Sequence, residues 1–267
     1  MGFIGDDGID PGIYSVSRSS STSYNSTVSK GRTGNVPIIQ SKISRPTIDG
    51  APIQKRLIDT VKRSMRNHVG TMLVGRAGSG KTFLASNIAA EVKGSKWYSL
   101  DAGDADREVF QRYFRAVTLG NKERSNAEVP RARNSLELIA DISSSLERRR
   151  TKWPRLIVLD GVHHLYDSDW FKDVFDQLIR SLPAPSHILI TSRSKPPNFL
   201  WRMRSKQVLN VFDEKLLEIS KKESEELFFK NGLSRAEGRT AHGDSFGRAG
   251  KLMRILESKK PAHLTSM

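Results

Sequence analysis

The residues best suited to chemistry lie in one run, Gly75-Arg76-Ala77-Gly78-Ser79-Gly80-Lys81-Thr82. It meets every fixed position of G-x-x-x-x-G-K-[ST], the loop that cradles phosphates when a strand precedes it and a helix follows. Glycines let backbone N–H groups converge on an anion with no Cβ in the way, and the helix N-terminus adds partial positive charge. In such a loop Lys81 reaches the β and γ phosphates and Thr82 ligates Mg²⁺. Phe83 continues the same junction and is grouped with Gly75 to Thr82 as a nucleotide contact. The expected ligands are therefore ATP or ADP and Mg²⁺.

Two later segments supply the other half of such a site. Leu156 to Leu159 is an uninterrupted aliphatic run, as in a parallel strand buried on both faces, and it ends in Asp160. A carboxylate at that strand end, near the phosphate loop, is the second Mg²⁺ residue beside Thr82. Hydrolases of this kind usually carry a further acidic residue there to activate water, whereas this chain reads Gly161-Val162-His163-His164. His163 or His164 is left to orient water, a place where histidine also packs structurally, so hydrolysis is expected to be slow or partner-dependent. The strand His187 to Thr191 runs into Arg193, whose planar guanidinium suits it to register a γ phosphate. His187 itself is read as structural. Lys81, Asp160, Arg193 and His163 are the expected catalytic set.

Positioning these residues requires an α/β alternation, and the chain has one. Helical patterns at 53–67, 81–92, 106–117, 135–150 and 170–182 alternate with short apolar strands at 71–74, 97–100, 156–159, 187–191 and 208–211. That order implies a three-layer sandwich, a P-loop NTPase fold with a five-stranded, mostly parallel sheet and right-handed crossovers. The roughly 80 residues between phosphate loop and Asp160 suit ATPases with an inserted central strand better than nucleotide kinases. Two more helices, at 214–231 and 243–258, have no strand between them and form a small helical lid. The expected divisions are a disordered Ser-rich tail at 1–45, a P-loop ATPase domain at 46–212 and the lid-like subdomain at 213–267.

Composition sets the outer limits. The 267 residues hold 44 Lys and Arg against 29 Asp and Glu, a net charge of +15, which allows a nucleic-acid partner. Its strongest local runs are Lys62 to Arg66 and Arg148 to Arg150, each also readable as a solvated helix end. Hydrophobic residues make up 37%, below an average globular chain, consistent with the tail staying outside the core. Zero cysteines exclude disulfides and thiolate chemistry and fit a cytoplasmic protein. No apolar run reaches the length of a membrane span, so no membrane partner is expected.

Taken in order, these pieces resemble the STAND ATPases, signal-transduction ATPases with numerous domains. They are most similar to the nucleotide-binding module of the maltose-activator type of large LuxR-family regulators. The resemblance rests on Ser41 to Pro46, the phosphate loop, Trp97-Tyr98-Ser99-Leu100-Asp101, Leu159-Asp160 with His163, and Thr191-Ser192-Arg193 followed by Pro196-Pro197. More distantly it resembles the NACHT and NB-ARC groups. It implies that ATP or ADP sits between the α/β domain and the lid, and that nucleotide exchange changes conformation or oligomeric state. It also implies base contacts from Ile48 and Ile53. The family continues into a winged-helix module, sensor repeats and an effector, for which 267 residues leave no room. Input and output are therefore expected on a separate protein partner, in the tail, or through self-association. Two rival readings stay open: a DNA-associated ATPase of the initiator or transposition-helper class, and a nucleotide-bound interaction protein that does not hydrolyse.

Overall fold

The computed structural model describes residues 38–47, 55–119, 133–148, 156–182 and 184–259. In chain order the elements are α1 (Lys55–Asn67), β1 (Gly70–Val74), α2 (Lys81–Glu91), β2 (Lys96–Ser99), α3 (Arg107–Leu119), α4 (Ser135–Arg148) and β3 (Leu156–Asp160). There follow α5 (Phe171–Ser181), β4 (His187–Ser192), α6 (Asn198–Ser205), β5 (Leu209–Phe212), α7 (Lys221–Lys230), α8 (Arg235–Ser245) and α9 (Ala249–Lys259). The five strands form one sheet in the order β2-β3-β4-β1-β5, and every pairing is parallel.

Strand alternation divides the core into two layers. Met72, Tyr98, Ile157, Leu159, Ile188, Ile190 and Val211 pack on one face with residues of α3, α4, α5 and α6. Their neighbours Leu73, Trp97, Leu156, Val158, Leu189 and Phe212 pack on the other face with α1 and α2. A period of two along strands covered on both sides is what a three-layer sandwich requires, and it is why these strands read as unbroken aliphatic runs.

The acidic strand β3 does not pair with β1. Strand β4 lies between them, hydrogen-bonded to both, so it is the inserted central strand. Chain direction still brings the carboxyl ends together: Val74 is in register with Ser192 on β4, and Thr191 with Asp160 on β3. The phosphate loop, Asp160 and the Thr191 segment consequently share one sheet edge.

Three expectations are corrected. The tail expected at 1–45 ends earlier, because its last residues are packed: Gln40–Ile43 form a helical turn and Lys42 Nζ meets the fully buried Asp104 at 2.7 Å and Asp101 at 2.9 Å. Tyr98 donates to Asp104 from the sheet side at 2.7 Å, and the Ile39 N–H donates to the Tyr113 hydroxyl. Composition could not reveal this, since the segment is held by the ion pair to buried Asp104 and by Ile38 and Ile43 packed on the core, contacts between residues far apart in the chain. Second, α6 was not foreseen; its eight residues are too few for a clear helical period.

Third, the segment after β5, expected as a two-helix lid, has three helices. Residues 214–220 precede α7, and the segment read as one helix from 243 spans the end of α8, a break and α9. The break is Phe246 and Gly247, at φ 54° and 69°. A Cβ on Gly247 would lie 2.7 Å from the Ile219 carbonyl, whose residue is hydrogen-bonded to the Gly247 carbonyl at 2.8 Å. Only glycine fits that approach. The sequence did carry the signal for α8: Ser234 and Glu237 form a reciprocal capping box, as Ser220 and Glu223 do for α7. The lid has its own core of Ile219, Leu227, Phe228, Ala241, Leu252 and Leu256. Residues 1–37 of the expected tail, Ile48 and Ile53, and Arg149 and Arg150 lie outside the described residues. Among the described residues no helix is long and apolar enough to cross a membrane.

Candidate functional site

The phosphate loop leaves β1 at Val74 and enters α2 at Lys81, as the motif demands. Gly78 and Gly80 have φ of 78° and 89°, conformations that L side chains rarely adopt, so both fixed and free glycines of the motif are used. Lys81 is buried, and its ammonium donates to the Gly75 carbonyl at 2.5 Å, the Arg76 carbonyl at 2.8 Å and Ser79 Oγ at 2.9 Å. All three ammonium donors are thus satisfied inside the loop, and a phosphate reached by Lys81 must replace some of these acceptors. Burial, with Arg193 nearby, holds the Lys81 pKa below its ordinary value.

Asp160 meets the loop across the intervening strand. Thr82 Oγ1 donates to its two oxygens at 3.0 and 3.2 Å, and Thr191 Oγ1 donates to Oδ1 at 2.5 Å. Thr191 also accepts the Gly161 N–H at 3.0 Å, which fixes the backbone that carries the carboxylate. Thr82 and Asp160 form a pair of hard oxygen donors. Among the described residues no group of three His, Asp or Glu forms a protein-only metal cage. Two oxygens with room for water and phosphate suit Mg²⁺, which retains much of its hydration and is held with the substrate.

A cavity of about 340 Å³ opens over the loop. It is lined by the loop from Ala77 to Phe83, by Asp160, Thr191 and Arg193, by His163 and His164, and by Ala249, Gly250 and Met253 of α9. Asp160 is the one carboxylate in that lining, against Lys81 and Arg193, so the chamber favours an anion. Arg193 is exposed and has no ion pair among the described residues. The His163 and His164 rings are 4.2 Å apart. Burial, then His164, Arg193 and Lys81, bring the His163 pKa down to about 4, and its buried Nδ1 has no hydrogen-bond partner among the described residues. His163 is therefore neutral at pH 7, and its Nδ1 is enclosed and unpartnered.

Gly161 explains the missing carboxylate. It sits at φ 95°, and a Cβ there would lie 2.9 Å from the Leu100 carbonyl. The local backbone opposes any side chain there, an acidic one included.

Sequence reasoning did not identify the lid residues that touch the loop. The Gly250 N–H donates to the Gly78 carbonyl at 2.8 Å, and Glu214 accepts from the Arg76 N–H at 3.1 Å while pairing with Arg248 at 3.4 Å. The Arg76 hydrogen bond, outweighing burial, lowers the Glu214 pKa. No local motif marks these contacts, because they depend on how α9 docks. His187 is structural: buried and neutral, it links the His68 carbonyl to Thr71 Oγ1 at 2.9 and 3.0 Å.

A parallel sheet with a phosphate loop at one strand end, a strand-end aspartate beside the loop threonine and an arginine on the next strand is a P-loop ATPase. More particularly, residues 66–194 match the family described as an AAA domain. The chain is 27% identical over 197 residues to the HTH-type transcriptional regulator MalT of Yersinia enterocolitica, a match covering 72% of this chain. It spans 22% of that relative's length. Among solved structures it is similar to a Walker-type ATPase of Pyrococcus abyssi, with TM-score 0.50 and 15% identity over 77% of this chain and 67% of that one. It also matches a replication initiator DnaA bound to AMPPCP and single-stranded DNA, with TM-score 0.49 and 16% identity over 81% and 63% of the two chains.

Proposed function

We propose that the protein is a STAND-type switch: it binds ATP or ADP with Mg²⁺, hydrolyses ATP slowly, and couples the bound nucleotide to the position of its lid. The observation that carries this reading is that one short loop touches both partners. Thr82 contacts Asp160, while Gly78, four residues earlier, is hydrogen-bonded to Gly250 of α9. Phosphates entering the loop rearrange the Lys81 acceptors at Gly75, Arg76 and Ser79, and Arg76 is tied through Glu214 to Arg248 of the lid.

In this reading Lys81 and the amides of Gly75 to Thr82 hold the phosphates, and Thr82 and Asp160 hold Mg²⁺. When bound, Mg²⁺ supplies charge neutralisation between the phosphates. Arg193 pairs with the γ phosphate and so distinguishes ATP from ADP. His163, neutral and in the lining of the chamber, orients the attacking water; a base with pKa about 4 removes a proton poorly at pH 7, hence slow turnover. A conformational change of this kind in a cytoplasmic regulator would pass to a second copy or a separate protein partner.

The test is to release and identify co-purified nucleotide, then measure ATP turnover and light-scattering mass with ADP and with a non-hydrolysable ATP analogue. Retained ADP, turnover below about one per minute, and an ATP-dependent change in mass or lid exposure that Lys81→Ala abolishes are expected. No affinity for ATP at millimolar Mg²⁺ would overturn the reading.

A further inference from the structure

A basic surface lies at the opposite end of the sheet from the phosphate loop. Helices α1, α5 and α6 end at Asn67, Ser181 and Ser205, just before strands β1, β4 and β5 begin at Gly70, His187 and Leu209. Those strands are adjacent and parallel in the order β4-β1-β5, so the three helix ends emerge at the amino edge, α5 and α6 on one face of the sheet and α1 on the other. Five-residue strands put this edge about 17 Å from the phosphate loop. The Val69 and Gly70 N–H groups both donate to the Val208 carbonyl, which binds the end of α1 directly to the segment after α6.

The charge on that edge is one-sided. From Asn198 to Val208, which is α6 and the turn after it, the sequence has Arg202, Arg204 and Lys206 and no Asp or Glu. Arg202, Arg204 and Lys206 are exposed and unpaired among the described residues, as are Arg63 and Arg66 of α1. A cleft of about 350 Å³ runs between α5 and α6, and Lys172, Arg180, Arg202 and Lys206 line it above Phe199 and Val208. Asp173 and Asp176 line it too, but Asp176 is held by Arg180 at 2.6 Å, leaving Asp173 against three free cations. Arg204 lies 5.2 Å from the half-buried Trp201 ring, which supports its planar group at the surface.

Cations at helix C-termini also offset the helix dipole, but this accounts for one or two per helix and not for three within five residues at the end of α6 with no acid among them. A folded protein partner needs apolar anchors at the centre of its footprint. Among the described residues the large exposed apolar side chains are Ile39, Leu136, Leu216, Phe229 and Phe246, none of them on α1, α5 or α6. A phosphate backbone needs only spaced cations.

We propose that this edge binds double-stranded nucleic acid through its phosphates, with Arg202, Arg204 and Lys206 as the principal contacts and Arg63 and Arg66 as flanking ones. The site is separate from the nucleotide chamber, and contact is independent of base sequence.

The test uses the full chain and a fluorescein-labelled 30-base-pair duplex of arbitrary sequence, followed by anisotropy between 50 and 300 mM NaCl. Binding should fall linearly on logarithmic axes with salt. The triple variant Arg202→Ala, Arg204→Ala, Lys206→Ala should weaken it at least tenfold at 100 mM and shrink the slope by about 2 to 3, roughly 0.9 per lost phosphate contact. Its ATP binding should be unchanged, which shows that it is folded. The lid variant Lys221→Ala, Lys222→Ala removes two exposed cations elsewhere and should bind DNA like the parent. The proposal is overturned by no duplex binding at 50 mM salt, by an equal loss in the lid variant, or by a triple variant that binds normally. Polyglutamate competing as well as DNA at equal charge would also overturn it, assigning the edge to an acidic protein.

Discussion

Restoring the absent acidic residue by Gly161→Glu should damage the enzyme. Gly161 is at φ 95°, where a residue with a Cβ costs about 1–2 kcal/mol, and the new Cβ would lie 2.9 Å from the Leu100 carbonyl. Real Cβ atoms do not approach backbone oxygen so closely, so something must shift. The neighbours are constrained: the Leu100 N–H donates to the Asp160 carbonyl at 2.8 Å, and the Gly161 N–H is held by Thr191 Oγ1. Relief must therefore move the backbone that carries Asp160. With overpacking adding about 1–2 kcal/mol, the total is about 2–4 kcal/mol, or roughly 5–15 °C in Tm for a domain of this size. Thermal melts and ATP turnover of Gly161→Ala and Gly161→Glu provide the assay. Both variants should lose similar stability, since the Cβ is common to both, and the glutamate should give no gain in rate. A Gly161→Glu protein melting at the parental temperature with turnover raised tenfold would refute the steric account.

Gly250→Ala probes the lid contact: the added Cβ would stand 3.0 Å from Gly78 Cα and its carbonyl, both backbone atoms, so α9 must move off the loop at a cost of about 1–3 kcal/mol. Release of a fluorescent nucleotide should accelerate about tenfold; an unchanged rate would show that this contact does not gate the site. For His187, burial brings the pKa from 6.5 down to about 4, so the unfolded chain binds the extra proton between those values. Stability is therefore fully present above about pH 6.5 and falls as pH drops through that window, by up to about 3 kcal/mol at pH 4. His163 titrates over the same range, so the comparison that isolates His187 is the urea midpoint of His187→Gln against the parent from pH 7 to 4.5. The variant should show the shallower pH slope, and equal slopes would rule the contribution out.

The amino-acid sequence alone determined the sheet and half of the site, because the relevant physics is local. Short apolar runs at 71–74, 156–159 and 187–191 read as strands covered on both faces, and glycines at 78 and 80 answer to a loop that needs positive φ. Thr82, Asp160 and Arg193 follow from strand ends that parallel pairing must bring to one edge. Tertiary structure decided the rest. That β4, rather than β2, separates the loop strand from the acidic strand is a matter of sheet order, which no window of sequence encodes. The Lys42–Asp104 pair links residues 62 apart, and the Gly78–Gly250 contact joins residues 172 apart. Neither leaves a periodic trace. The amino-edge cations likewise read singly as solvated helix ends. They become one surface only because three helices finish beside three adjacent parallel strands, and chain topology, with no local signal, sets that convergence.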